Sequence, residues 1–274
     1  MDKGVRAAGL LVCVIALSRP LAAQWPAFKN ANAPRTADGQ VNLAAPAPRT
    51  ADGKPDLSGI WEVVRGGTGQ VIVGTDVPAL QRTSPFWNVG AELEGGLPIR
   101  PWAAELRANR VADYSKDNPD AHCLPIGPTQ LHNHPQPRKI VQTPSLILML
   151  WEANYGLRQI FMDARPLPTG DPQPWWYGYS IGTWDGDSLV VETTGFRDGQ
   201  WLDVNGAPLT DAAKTTERFR RVNYGNLEIR LTVDDTKAYT KPWDVTIRQR
   251  LLPDTDLIEF ICGENEKSSW HFGK

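Results

Sequence analysis

His132 and His134, two imidazoles one residue apart, are the side chains of this sequence best spaced to act together. In an extended segment they point the same way, close enough to share a metal ion or to serve as general acid and base. His122 lies upstream and would make a third ligand, and Glu152 or Asp163 could assist. Such a set would suit a divalent transition metal that keeps an open position. The segment is crowded with proline, however, and the same imidazoles could simply hydrogen-bond within a pocket wall.

Other groupings carry other chemistry, and the aromatic run at 175–179 is the strongest binding-site signal among them. Gly178-Tyr-Ser-Ile-Gly182 matches the Gly-x-Ser-x-Gly pattern of hydrolases, with His271 downstream, but that motif needs a strand-to-helix turn and here a strand follows. Trp175-Trp-Tyr-Gly-Tyr179, after a Pro-rich loop, offers flat rings for stacking on a sugar or an aromatic ligand, or for capping a core; Trp175, Trp176, Tyr177 and Tyr179 are the candidate binding residues. Asp185 and Asp187 flank Gly186 and read as a turn, as does Asp234-Asp235. On the strand that contains them, Glu217, Phe219 and Arg221 share one face opposite Arg218 and Arg220. Whichever face is inward buries an arginine, which needs a carboxylate or a ligand anion; Arg221 is therefore a candidate ligand contact.

The elements that must position these residues are strands. Leu227, Ile229, Leu231 and Val233 alternate with polar residues, as do Trp243, Val245, Ile247 and Leu251, and Ile258, Phe260 and Cys262 continue the pattern. Lys139 to Thr143, Ser145 to Glu152 and Leu157 to Met162 read as strands, the last two joined through Ala153 to Gly156. Trp184-Asp-Gly-Asp187 folds Tyr179 to Trp184 back on Ser188 to Thr194. Gly59 to Val64 and Gln70 to Val73 read as two earlier strands separated by Gly66 to Gly69. Pro101 to Tyr114 is the one peripheral helix. About ten strands in short-turn succession imply a mainly β fold, an antiparallel meander closing into a lipocalin-like barrel or else a β-sandwich.

Before the strands the sequence has another character. Residues 1–24 have the basic start, short apolar stretch and small-residue end of a signal peptide, and Cys13 lacks the setting of a lipid-attachment site. Residues 25–56 read as an extended Pro/Ala-rich leader in which Ala33-Pro-Arg-Thr-Ala-Asp-Gly39 recurs as Ala47 to Gly53, and residues 57–274 as a single β domain. Without Lys3, Arg6, Arg19 and Asp2 of the signal segment, 26 basic side chains face 30 acidic ones, which argues against nucleic acid and anionic membrane surfaces as partners. No later apolar run reaches the length of a membrane span. Cys123 and Cys262 then remain, and a secreted or periplasmic location predicts their disulfide.

Ala51-Asp-Gly-Lys-Pro-Asp-Leu-Ser-Gly-Ile-Trp61, Cys123-Leu-Pro, Pro135 to Pro144, Trp184-Asp-Gly-Asp-Ser-Leu-Val-Val-Glu-Thr193, Thr216-Glu-Arg-Phe-Arg-Arg221 and Lys237-Ala-Tyr-Thr-Lys-Pro-Trp243 resemble a large group of secreted bacterial proteins of unknown function. The resemblance implies export and no particular activity. Gly59-Ile-Trp61 is also similar to the Gly-x-Trp opening of lipocalins, which supports the meander. The sequence thus points to a secreted barrel that binds a small apolar, aromatic or glycan ligand in a Trp/Tyr-lined cavity. The alternative is a hydrolase, lyase or isomerase using His132 and His134 in the same cavity.

Overall fold

The computed structural model describes residues 28–64, 84–153, 156–170 and 172–264. The signal segment, the Gly66 to Val73 readings and His271 lie outside them. Nine strands close a barrel in the order β1 (Gly59–Val63), β11 (Trp243–Leu251), β10 (Asn226–Asp234), β9 (Lys214–Arg221), β6 (Ser188–Thr194), β5 (Tyr179–Asp185), β4 (Leu157–Phe161), β3 (Leu146–Trp151) and β2 (Arg138–Gln142). Closure excludes the sandwich. A small hairpin, β7 (Gln200–Trp201) with β8 (Pro208–Leu209), stands outside the ring. The expected helix is α1 (Pro101–Ala112), with proline in its first turn, and a second, short helix, α2 (Pro128–Asn133), follows a 3-10 turn at Pro119–His122.

The strands pair antiparallel around the ring except β4 and β5, which run parallel through Ile160 with Ser180 and Phe161 with Ile181. A ring with an odd number of strands cannot alternate direction all the way round, so one parallel pair is required. Residues between Phe161 and Tyr179 therefore cross from one end of the barrel to the other. The Trp184 to Ser188 turn forms where the Asp-Gly signal places it, but its central residues are Gly186 and Asp187: Asp185 faces Ser188, and only Gly186, at φ +59°, takes the positive φ that a type II′ turn asks of its first central residue.

The register sorts the connections by length. At one end the links are tight: residues 143–145, 186–187 and 222–225. At the other end are the long ones: 64–137 with both helices, 195–213 with β7 and β8, and 235–242. Asp235 orders the last of these by accepting from the Thr210 N–H and hydroxyl and the N–H of Lys237 and Ala238. This is the turn role read for Asp234-Asp235.

Strand alternation fills the interior. Ile140, Ile147, Met149, Ile160, Leu189, Phe219, Ile229 and Ile247 point inward and are buried with Trp61. Burying one such side chain stabilises by about 1.5–3 kcal/mol. Exterior ion pairs such as Arg218 with Asp185 and Arg250 with Glu62 lie on the opposite faces of the same strands.

Two expectations change. The described part of the 25–56 leader, residues 28–56, is not extended: each copy of the repeat folds into the same turn. Arg35 donates to the Gly39 carbonyl as Arg49 does to that of Gly53, at 3.1 and 2.7 Å, and each arginine continues to a carboxylate, Asp254 just past β11 or Asp187 in the β5–β6 turn. Leu57 is buried and Leu43 packs against the core. The alternation in Ile258 to Cys262 does not produce a strand, because β1 and β11 pair with each other and the closed ring leaves no edge there to extend. That tail instead runs up the barrel wall. Asp254 meets Arg35, Asp256 meets Lys139, the Ile258 N–H reaches Glu152 at 3.1 Å, and Cys262 forms the predicted disulfide with Cys123, with Cα atoms 5.5 Å apart. In the chain-entropy account a link across so long a loop stabilises by about 5 kcal/mol.

Candidate functional site: a buried polar centre

At the long-loop end the inward positions turn polar. Arg138, Arg158, Ser180, Thr193, Thr215 and Glu217 each occupy the inner face of a strand, and each is buried. Register places Ser180 opposite Thr193 and Thr193 opposite Thr215, a row of hydroxyls across β5, β6 and β9. α2 closes this end from within: Gln130, Leu131 and His132 have no exposed surface. Its six residues hold no amphipathic stripe because every side is covered.

Glu217 joins the set. Arg158 grips its carboxylate with two nitrogens, Nη1 to Oε1 at 3.0 Å and Nη2 to Oε2, and also reaches the Ser180 hydroxyl at 3.1 Å and the Thr193 hydroxyl at 2.9 Å. His132 Nε2 lies 2.7 Å from Glu217 Oε1. Burial alone would raise the Glu217 pKa, but the Arg158 charge and the bonds from His132 and Arg158 overturn that and hold it down to about 2. Burial pushes the His132 pKa down, against the pull of Glu217 and with the help of Arg138 and Arg158. An ionised Glu217 accepts only, so neutral His132 carries its proton on Nε2 and offers a lone pair at Nδ1.

Several polar atoms here find no partner among the described residues: both side-chain ends of Gln130, His132 Nδ1, Thr215 Oγ1, Trp151 Nε1, and Nε and Nη2 of Arg138; the Gln249 amide, on β11 in the register row of Arg221, is likewise unpartnered. Arg138 makes one bond, from Nη1 to the His132 carbonyl at 3.0 Å. Burial lowers its pKa to about 9. Trp151 and Phe219 flank the His132 ring, each 5.9 Å away, and Tyr177 stacks on the outer face of Trp151 at 6.3 Å.

The residues singled out in the sequence scatter over the molecule. His132 is in the centre; His134 caps α2 in extended conformation, 3.6 Å from Asp120 and edge-on to Phe86. With His132 inside α2 and His134 just past its end, the shared side that an extended segment would have given is lost. His122 ends the 3-10 turn. Glu152 accepts from the Ile258 N–H, and burial raises its pKa. Asp163 lies on the surface, paired with Arg165. Among the described residues no three His, Cys, Asp or Glu side chains gather as a metal ion requires.

Ser180 is fully buried on a strand and bonded to Arg158 and Thr193, which is not the exposed, strained position of a nucleophile elbow. Of the aromatic run, Tyr177 alone stacks on a residue of the centre. Trp175 is exposed, and Tyr179 lies on the outward face of β5 with Phe161 5.1 Å away. Arg197 covers Trp176. Arg221 lies inward at the tight-turn end, where among the described residues it forms no ion pair at contact distance but donates to the carbonyls of Asp56, Asn223 and Tyr224 and faces Trp61. The sequence reading passed over Arg138, Arg158 and Gln130. Alternation of Arg138, Ile140 and Gln142 against Lys139 and Val141 was the available signal for the first.

The chain matches no known protein-family model, no curated protein and no solved structure.

Proposed function

We propose that the protein is an exported barrel that binds a small polar molecule in the centre beneath α2. The observation that carries this reading is the group of buried polar atoms without protein partners. Leaving one such atom unsatisfied costs about 1–3 kcal/mol, and this many together would consume the 5–15 kcal/mol of a whole domain. A polar compartment served by water or by the groups of a ligand removes that cost. The signal segment, the likeness to secreted proteins and the Cys123–Cys262 disulfide support export.

The ligand-binding reading is tested on protein isolated from its own host. Native mass spectrometry should find a small-molecule adduct that is released on unfolding, and Gln130→Leu should lose it while remaining folded. A bare polypeptide mass under native conditions would overturn the reading.

One geometry favours a second reading, that of an acid/base enzyme. His132, oriented through Nε2 by an ionised Glu217 at 2.7 Å, has the form of a general base acting through Nδ1. Turnover of the molecule released from the native protein, abolished by His132→Gln with binding kept, would establish it.

A further inference from the structure

We propose that the molecule bound in this centre is a small monocarboxylate and that Arg138 is its anchor. The inference rests on the binding reading above and adds the charge and shape of the ligand. Arg158 is matched to Glu217, and His132 is neutral. The carboxylate that acts on Arg138 is Glu62, on the neighbouring strand and tied to Arg250 on the outside of the barrel. The centre therefore holds two guanidiniums against one carboxylate, an excess of one positive charge. A buried charge of that kind needs a counter-charge.

The free atoms specify its shape. Nε and Nη2 lie on the same edge of the guanidinium, two parallel N–H donors spaced for the two oxygens of a carboxylate. Nη1, on the other side, is the nitrogen spent on the His132 carbonyl, a bond that holds the plane in place. One unmatched charge suits a monoanion better than a dianionic phosphate. His132 Nδ1 accepts, so a hydroxyl or amine on the ligand has a protein acceptor to meet, whereas Gln130, two residues earlier on α2, lies on another side of the helix.

The experiment measures thermal unfolding of the mature full-length chain against sodium acetate, glycolate, phosphate and chloride at matched ionic strength, and against neutral acetamide. Acetate and glycolate should raise the midpoint by about 3–6 °C at ten times their half-saturating concentrations, with acetamide, chloride and phosphate well below them. Arg138→Met, which replaces an unmatched charge by an apolar chain of similar length, should fold and lose the response. Equal stabilisation by acetamide, a stronger response to phosphate, or an undiminished acetate response in Arg138→Met would each overturn the proposal. Should the variant not fold, the order of probes on the wild type decides alone. A neutral molecule released from host-isolated protein would sink the carboxylate while leaving the binding centre in place; no released molecule would sink both.

Discussion

Without the Glu217 carboxylate, the Arg158 guanidinium and the His132 Nε2–H would lose their acceptor inside the barrel. Glu217→Leu should therefore cost about 3–5 kcal/mol in denaturant unfolding, and adding Arg158→Met should return more than half of it, because an apolar pair tolerates burial where a lone charge does not. Additive losses would refute the pairing. The same two groups set a pH dependence. Glu217 titrates below its ordinary value in the native protein and so does His132, so in each case the unfolded chain takes up a proton before the folded one does. Stability should fall from about pH 6.5 downward as the unfolded histidine protonates, and fall further below about pH 4.5 through Glu217. Chemical unfolding at a series of pH values should show the upper limb flattened in His132→Gln. A wild-type stability that holds level from pH 6.5 to 5 would contradict it.

Among the elements, α2 is the one on which the centre depends. Leu131 on this helix is fully buried, and Leu131→Ala should cost about 2–5 kcal/mol and make Trp151 fluorescence accessible to acrylamide. A stable variant with unchanged quenching would show that the helix does not seal this end. α2 is also where the sequence was least legible. Six residues covered on all sides carry no 3.6-residue pattern, so nothing in His132-Asn-His134 distinguishes a helix end from the extended segment in which the two imidazoles would share a side. The hairpins and the strands β9 to β11 were legible because their signals are local: Asp-Gly at a turn and alternation along eight or nine residues. α1 was legible from its proline, although Ala103 rather than Trp102 or Val111 is its buried contact. What failed was non-local. The Ile258 to Cys262 alternation has no free strand edge to join, and the inward aim of Arg138 and Arg158 depends on which face the closed ring buries.

At the scale of the whole molecule, the barrel has a plain end and an elaborated one. Tight turns and the duplicated Arg-stapled turns occupy the first; helices, the outer hairpin and the polar centre occupy the second. The disulfide fastens the tail from the first end to the chain just before α2. The parallel contact of β4 and β5 gives this layout a mechanical meaning. It is registered over two residue pairs, against three on each side of β1 and seven between β5 and β6, so it is the most thinly laced seam of the wall. Arg158 stands on one side of it, and its partners Ser180, Thr193 and Glu217 all stand on the other. The ion pair is thus a stitch across the seam, supplying through side chains the cohesion that the main-chain ladder provides elsewhere. Amide exchange should register this as a local weakness: in Glu217→Leu, the amides of Leu157–Phe161 and Tyr179 to Gly182 should lose protection well before those shared by β10 and β11. Uniform loss around the ring would mean that the wall opens as one body and that the stitch holds nothing by itself.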